Sequence, residues 1–204
     1  MAKTLIVSDV HLNVAMDGQA VRDCFCRFLK TVDSAAVDRL VVLGDLFDFW
    51  FEYQHVIFSG YFEILRCFAD LRDEGVKFHF VCGNHDFWAG RFLQEELGFQ
   101  IHRDKALLPF GEMQALLVHG DGINPKDWSY RLYKRVARSR LAIGAFRLIH
   151  PDWAMAIAQG VSRGSRHMTR VEDLSQGPEV APLRRFAHGA LERGVGVVRE
   201  VGAE

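Results

Sequence analysis

Four short apolar runs punctuate the chain: Leu5-Ile6-Val7, Leu40-Val41-Val42-Leu43, Phe78-His79-Phe80-Val81 and Ala115-Leu116-Leu117-Val118. They are continuous rather than alternating and rich in β-branched or aromatic residues, the pattern of strands buried on both faces. Helical spacing lies between them. Val21, Phe25, Phe28 and Leu29 mark one helix; Phe62, Leu65, Phe68, Ala69 and Leu71 mark a second, which Gly75 stops ahead of the third strand. Alternation of this kind predicts an α/β fold built from βαβ units.

The pattern changes from about Gly122 to Arg170. Strand runs stop, and two helical stretches follow, about Asp127 to Ile149 and Asp152 to Val161, with Pro151 expected to break them. The reading is a core over 1–121, a helical insertion over 122–170 and a return to the core over 171–204. The last part holds a polar loop, Ser175-Gln176-Gly177-Pro178, a helix from about Val180 to Arg193, and the apolar run Val195-Gly196-Val197-Val198.

Composition narrows the class. An apolar share of 49% in 204 residues excludes disorder and supplies a core. Cys24, Cys26, Cys67 and Cys82 fit neither a small disulfide scaffold nor a CxxC metal site, so free thiols and a cytosolic chain are expected. No secretory leader is expected from the first residues. The longest apolar region, Leu141 to Val161, is interrupted by Arg147, His150, Pro151 and Asp152 and is too broken to span a bilayer. The net charge of −1 conceals an asymmetry: ten basic residues against two acidic ones over 122–170 give +8 there and −9 elsewhere.

Each apolar run is followed at once by residues of metal-ligand type. The four sets are Ser8-Asp9-Val10-His11, Gly44-Asp45-Leu46-Phe47-Asp48, Gly83-Asn84-His85-Asp86 and His119-Gly120-Asp121. Sites in open α/β sheets form outside the carboxyl ends of the strands, so four such sets are expected to converge. Singly, each is an ordinary turn. Together they supply oxygen and imidazole donors without thiolate, a set suited to Mn, Fe or Zn. A carboxylate shared between two metals ~3.5–4 Å apart is a device for phosphoryl and ester hydrolysis.

In this order the motifs resemble those of the calcineurin-like metallophosphoesterases. The resemblance runs from Thr4 to about Val198 and implies a layered α/β sandwich with a helical cap. The run Gly44-Asp45-Leu46-Phe47-Asp48-Phe49-Trp50 and the insertion resemble the branch that acts on UDP-2,3-diacylglucosamine in lipid A biosynthesis. That resemblance implies two divalent metals, manganese being expected. Asp9 and His11 would hold the first, Asp45 would bridge, and Asn84 and His119 would hold the second. Water attack would split the diphosphate into UMP and 2,3-diacylglucosamine 1-phosphate. His85 would protonate the leaving group or meet phosphate charge. Asp86 would either orient His85 or cap a helix ahead of Phe87-Trp88. Asn84, His85, Asp127, Tyr130, Ser162 and Arg166 would contact the substrate. The other readings are a phosphodiesterase or phosphatase for a smaller substrate, and a catalytically defective fragment that binds metal or lipid.

One departure stands out. The family closes its site with Gly-His-x-His after a final strand, one imidazole for each metal, and this sequence contains no Gly-His-x-His. Val195-Gly196-Val197-Val198 stands where that strand belongs, so the expectation is a core lacking its C-terminal strands. His79 and His188 are expected to be a packed strand residue and a helix-surface residue. The basic insertion interleaves charge with Trp128, Tyr130, Leu132, Tyr133, Val136, Leu141, Ile143, Phe146, Leu148, Trp153, Met155 and Ile157. Such a segment either meets a membrane surface or packs its apolar stripe on the core while its charges reach water. The resemblance favours the first and implies a cytoplasmic protein peripheral to the inner membrane. No nucleic-acid-binding pattern accompanies the charge, so no nucleic-acid partner is expected.

Overall fold

The computed structural model describes residues 3–111, 113–121, 128–158 and 160, with the backbone alone for 129–131 and 195–198. The chain divides into two compact units, one running to Asp104 and the other from Lys105 to Arg199. No helix among the described residues is long and apolar enough to cross a membrane.

The first unit follows the predicted alternation. β1 (Lys3–Val7), α1 (Gln19–Lys30), β2 (Val37–Leu43), α2 (Phe62–Asp73), β3 (Lys77–Val81), α3 (Arg91–Glu95) and β4 (Phe99–His102) succeed one another. The four strands form a parallel sheet in the order β1-β2-β3-β4. The register pairs Leu5 with Leu40, Leu40 with Phe78 and Phe78 with Phe99, which puts these residues on one face. Phe68 of α2 meets Phe78 and Phe99 edge-on, with centroids at 5.4 and 5.1 Å, and Phe25 of α1 meets Phe68 at 6.2 Å. Of the helical stripes read from the sequence, Phe25, Leu29, Leu65, Phe68 and Leu71 are buried, whereas Val21 and Phe62 are exposed. Gly75 ends α2 as expected. At φ 97° it lets its own N–H reach Arg72 O and the Val76 N–H reach Leu71 O, the paired bonds that close a helix on a left-handed residue.

The fourth apolar run lies outside the parallel sheet, in the second unit. β5 (Lys105–Phe110) and β6 (Met113–Val118) form an antiparallel hairpin turning at Gly111, whose φ of 63° suits a tight connection. β7 (Val195–Val198) lies parallel to β6 on its other side. The fourth run is thus the middle of a separate three-stranded sheet. β5 escaped the sequence reading because it alternates: Ala106 and Leu108 are buried while Lys105 and Leu107 are exposed.

The basic segment is helical, with different breaks from those expected. The single stretch predicted from Asp127 to Ile149 is two helices, α4 (Trp128–Ala137) and α5 (Arg140–Phe146). Ser139 divides them by capping α5, its hydroxyl accepting the Ala142 N–H at 3.2 Å. Pro151 opens the next helical stretch, 151–158, where its missing N–H costs nothing. Trp128, Leu132, Tyr133, Val136, Leu141, Leu148, Trp153 and Ile157 are exposed while Ile143, Phe146 and Met155 are half-buried, so much of the apolar stripe is uncovered. The predicted loop at Ser175 to Pro178, the helix from Val180 and His188 lie outside the described residues.

Candidate metal centre

The loops after β1 and β2 continue the strand pairing past the sheet. Asp9 N–H reaches Gly44 O at 3.1 Å, His11 N–H reaches Asp45 O at 3.0 Å, and Leu12 N–H reaches Leu46 O at 2.8 Å. Asp48 N–H returns to Leu12 O at 2.8 Å. Beneath this ladder, Leu12, Phe47, Trp50 and Tyr61 have no solvent exposure, and Phe47 stacks on Trp50 at 4.4 Å. The Tyr61 hydroxyl lies 3.0 Å from Leu12 O and 3.2 Å from Phe49 O, at the root of both loops. Burial, with the Asp48 charge nearby, pushes its ionisation far upward and keeps it a neutral donor.

The backbone carries strain where the ligand types stand. Asp9, His11 and Asp45 have φ of 53°, 49° and 50°, and they are the only non-glycine residues with positive φ among those described. Such conformations cost of order 1–3 kcal/mol each and persist only where surrounding structure holds them. Here the inter-loop ladder does so, aiming three side chains into one space.

The loop after β3 approaches from the other side. A Cβ on Gly83 would overlap the Asp45 carboxylate, so only glycine permits the approach. Asp45 Oδ1 accepts the His85 N–H at 2.9 Å. Asp86, fully buried, spends its carboxylate on the backbone: Oδ1 accepts the Gly83 N–H at 2.9 Å and Oδ2 accepts the Leu46 N–H at 2.8 Å. It ties the β3 loop to the β2 loop. No helix starts at Phe87, so the capping alternative for Asp86 does not arise; α3 begins later, at Arg91.

His11 sits between the carboxylates. Its Nε2 is 3.8 Å from Asp45 Oδ2 and 3.9 Å from Asp9 Oδ1, and its Nδ1 is 3.2 Å from Asp48 Oδ1. Burial pulls this imidazole down, but the Asp48 hydrogen bond and the Asp45, Asp48 and Asp9 charges outweigh burial and hold it above its ordinary value. The His85 ring stands edge-on to His11 with centroids 5.0 Å apart. His85 Nδ1 is 2.9 Å from Asp48 O, a contact a carbonyl can only accept, so Nδ1 carries the proton and Nε2 faces the work. One ligand atom from each of His11, Asp45 and His85 lies within 4.8 Å of the others. Oxygen and imidazole donors packed this closely, at a strained backbone, fit a borderline divalent metal held by His11 and Asp45 with a further imidazole beside it.

The remaining predicted residues are placed as follows. Asn84 is half-buried in the same loop, one position before His85. His119 follows β6 in the second unit and is half-buried; Asp121, two residues on, pairs with Lys134 of α4 at 2.7 Å. His79 is packed within β3, as expected. Asp127, Ser162 and Arg166 lie outside the described residues, as does the side chain of Tyr130, whose backbone is in α4. Asp48 and Tyr61 were not singled out as site residues. The Gly-Asp-x-x-Asp spacing marks the first; nothing local marks the second, which is buried far from the ligand motifs in sequence.

Comparison with known proteins agrees with this geometry. The calcineurin-like phosphoesterase superfamily domain matches residues 2–145. A UDP-2,3-diacylglucosamine hydrolase of Porphyromonas gingivalis is 33% identical over 168 residues, 81% of this chain and 64% of that protein. One of Nitrosococcus oceani is 30% identical over 165 residues, covering 80% and 64%, and one of Edwardsiella ictaluri is 29% identical over 195 residues, covering 91% and 71%. The chain thus spans about two thirds of the length of these curated relatives. A domain match that takes in the strand-end loops after β1, β2, β3 and β6 accounts for the sheet, the strained ligand positions and the donor set together: the chain belongs to the calcineurin-like phosphoesterase superfamily, whose members are metal-dependent hydrolases.

Proposed function

We propose that this chain hydrolyses the diphosphate of UDP-2,3-diacylglucosamine, releasing UMP and 2,3-diacylglucosamine 1-phosphate. The observation that carries the reading is the triangle of His11, Asp45 and His85 with the left-handed backbone at Asp9, His11 and Asp45. The named relatives supply the substrate class. Asp9 and His11 would hold one divalent metal, Asn84 and His119 would hold the other, and Asp45 would serve both. Manganese suits this mixture of carboxylate, amide and imidazole donors. Bound metals supply a nucleophile from water at neutral pH and neutralise charge on the phosphates. His85, its Nδ1–H fixed on Asp48 O, offers Nε2 to the leaving-group oxygen. Asp86 acts on the loop that presents His85.

Residues 122–170 form the cap over a core of 1–121 and 171–204, with Asp127, Tyr130, Ser162 and Arg166 meeting the substrate. The uncovered apolar side chains of 128–157, from Trp128 to Ile157, interleaved with Arg135, Arg140 and Arg147, support docking on acyl chains and anionic headgroups. On this reading the protein works at the cytoplasmic face of the inner membrane. The test is kcat/KM for UDP-2,3-diacylglucosamine against UDP-glucose and a small phosphodiester, with manganese added. The proposal expects the lipid-bearing substrate to win by orders of magnitude. Equal rates for all three would reassign the site to smaller phosphates.

A further inference from the structure

Cys26 of α1 and Cys67 of α2 lie on facing helices with their Sγ atoms 2.9 Å apart. The neighbouring pair, Phe25 and Phe68, is in ring contact at 6.2 Å, so two successive positions bring the same helix faces together. A disulfide needs about 2.05 Å between sulfurs, so less than about 1 Å remains to be closed. Neither sulfur belongs to the strand-end site, which lies on other residues. We propose that Cys26 and Cys67 form a reversible disulfide, a thiol-exchange site that takes a low-molecular-weight disulfide such as oxidised glutathione and locks α1 to α2.

The two thiols divide the work. Cys26 is half-buried and open to a small oxidant, whereas Cys67 is buried. The Cys26 thiolate attacks the glutathione disulfide, forming a mixed disulfide and releasing one glutathione thiol. Cys67, losing its proton to solvent, then attacks the Cys26 sulfur; the protein disulfide forms and the second glutathione leaves as a thiol. Two protein thiols are oxidised and one glutathione disulfide is reduced, which balances electrons and protons. Burial, and then the hydrogen bond and charge of Cys26, push the Cys67 thiol up to about 12. The hydrogen bond and charge vanish once Cys26 is in the mixed disulfide, but burial, the largest cause, remains, so the closing step is slow and speeds up as pH rises. Cys24, exposed on α1, serves as an internal reference for surface reactivity.

The test uses the full chain incubated with oxidised glutathione at mildly alkaline pH, quenched by acid, unfolded and alkylated, then mapped by mass spectrometry. The expected result is a crosslinked peptide pair containing Cys26 and Cys67, lighter than the two free peptides by about 2 Da for the hydrogens lost. Dithiothreitol should restore both thiols. Cys24→Ser should keep the crosslink, and Cys26→Ser and Cys67→Ser should each abolish it. Circular dichroism of the Cys26→Ser chain guards against a folding failure, and Cys67→Ala gives a second buried variant. Glutathione found on Cys24 with Cys26 and Cys67 still reduced would overturn the proposal. So would a bridge to Cys24 or between two chains.

Discussion

Asp48 holds His11 with its side chain and His85 with its main chain: Oδ1 is 3.2 Å from His11 Nδ1, and the carbonyl oxygen is 2.9 Å from His85 Nδ1. One residue thus sets the orientation of both imidazoles, through atoms that mutation can separate. Asp48→Asn removes the charge facing His11 and leaves the carbonyl for His85. Groups that orient metal-binding histidines are worth about 10–100-fold in metal affinity. Competition against a chelator should show manganese binding weakened by about that factor in the variant. Unchanged binding would show that His11 is oriented without Asp48.

Gly83 tests the packing of the loops. Alanine there forces its Cβ into the Asp45 carboxylate, and Asp45 N is only 2.6 Å from the same position. Overpacking of this kind costs about 1–3 kcal/mol, and here the displaced group is the central carboxylate. Urea unfolding should register that loss for Gly83→Ala, together with weakened metal binding. Gly144→Ala, in α5 with nothing within 4 Å, should be neutral or stabilising by about 0.5–1 kcal/mol.

Tyr61→Phe removes the hydroxyl that serves Leu12 O and Phe49 O at the root of both loops. The Asp48 N–H still reaches Leu12 O, so the loss is that of a buried hydrogen bond, about 0.5–1.5 kcal/mol. Thermal unfolding should fall accordingly, with the aromatic contact to Phe47 at 4.7 Å retained. A stability equal to that of the parent chain would mean that the carbonyls find other partners.

Stability should also fall in acid through the pair His79 and His102, whose ring nitrogens are 3.1 Å apart. Burial first, then the His102 and Arg39 charges, bring His79 down to about 4, and burial lowers His102 as well. Both histidines are thus harder to protonate folded than unfolded. The unfolded chain binds more protons between about pH 6.5 and about pH 4, so stability drops as pH falls through that window. Urea midpoints measured across it should flatten for His79→Gln. An identical slope would assign the acid sensitivity to other groups.

Much of the first unit is legible because its signals are local. Continuous apolar runs marked β1, β2 and β3, helical spacing marked α1 and α2, and Gly75 supplied the left-handed stop of α2. Asp9, His11 and Asp45 could be named because each follows a strand directly. What the sequence concealed depends on distant partners. β5 is half-buried and alternates. The fourth run joins a second sheet because Gly111 turns it back on β5, a choice its own residues do not announce. Asp86 reads as a helix cap or a catalytic orienter, yet its carboxylate is taken by Gly83 and by Leu46, a residue 40 positions away. Ser139 split a helix whose apolar pattern ran on unbroken, since one hydroxyl bond to Ala142 outweighed periodicity.

The central claim is that the strand-end site of this chain, built on Asp45, carries out metal-dependent cleavage of a UDP-linked diphosphate. The most direct measurement is UMP release from UDP-2,3-diacylglucosamine as manganese is titrated, with the parent chain and Asp45→Asn side by side. The account predicts release that saturates with manganese, stops on chelation, and falls at least about 100-fold in Asp45→Asn. Release that ignores both manganese and the Asp45 substitution, or its absence from a parent chain that has bound its metals, would contradict it.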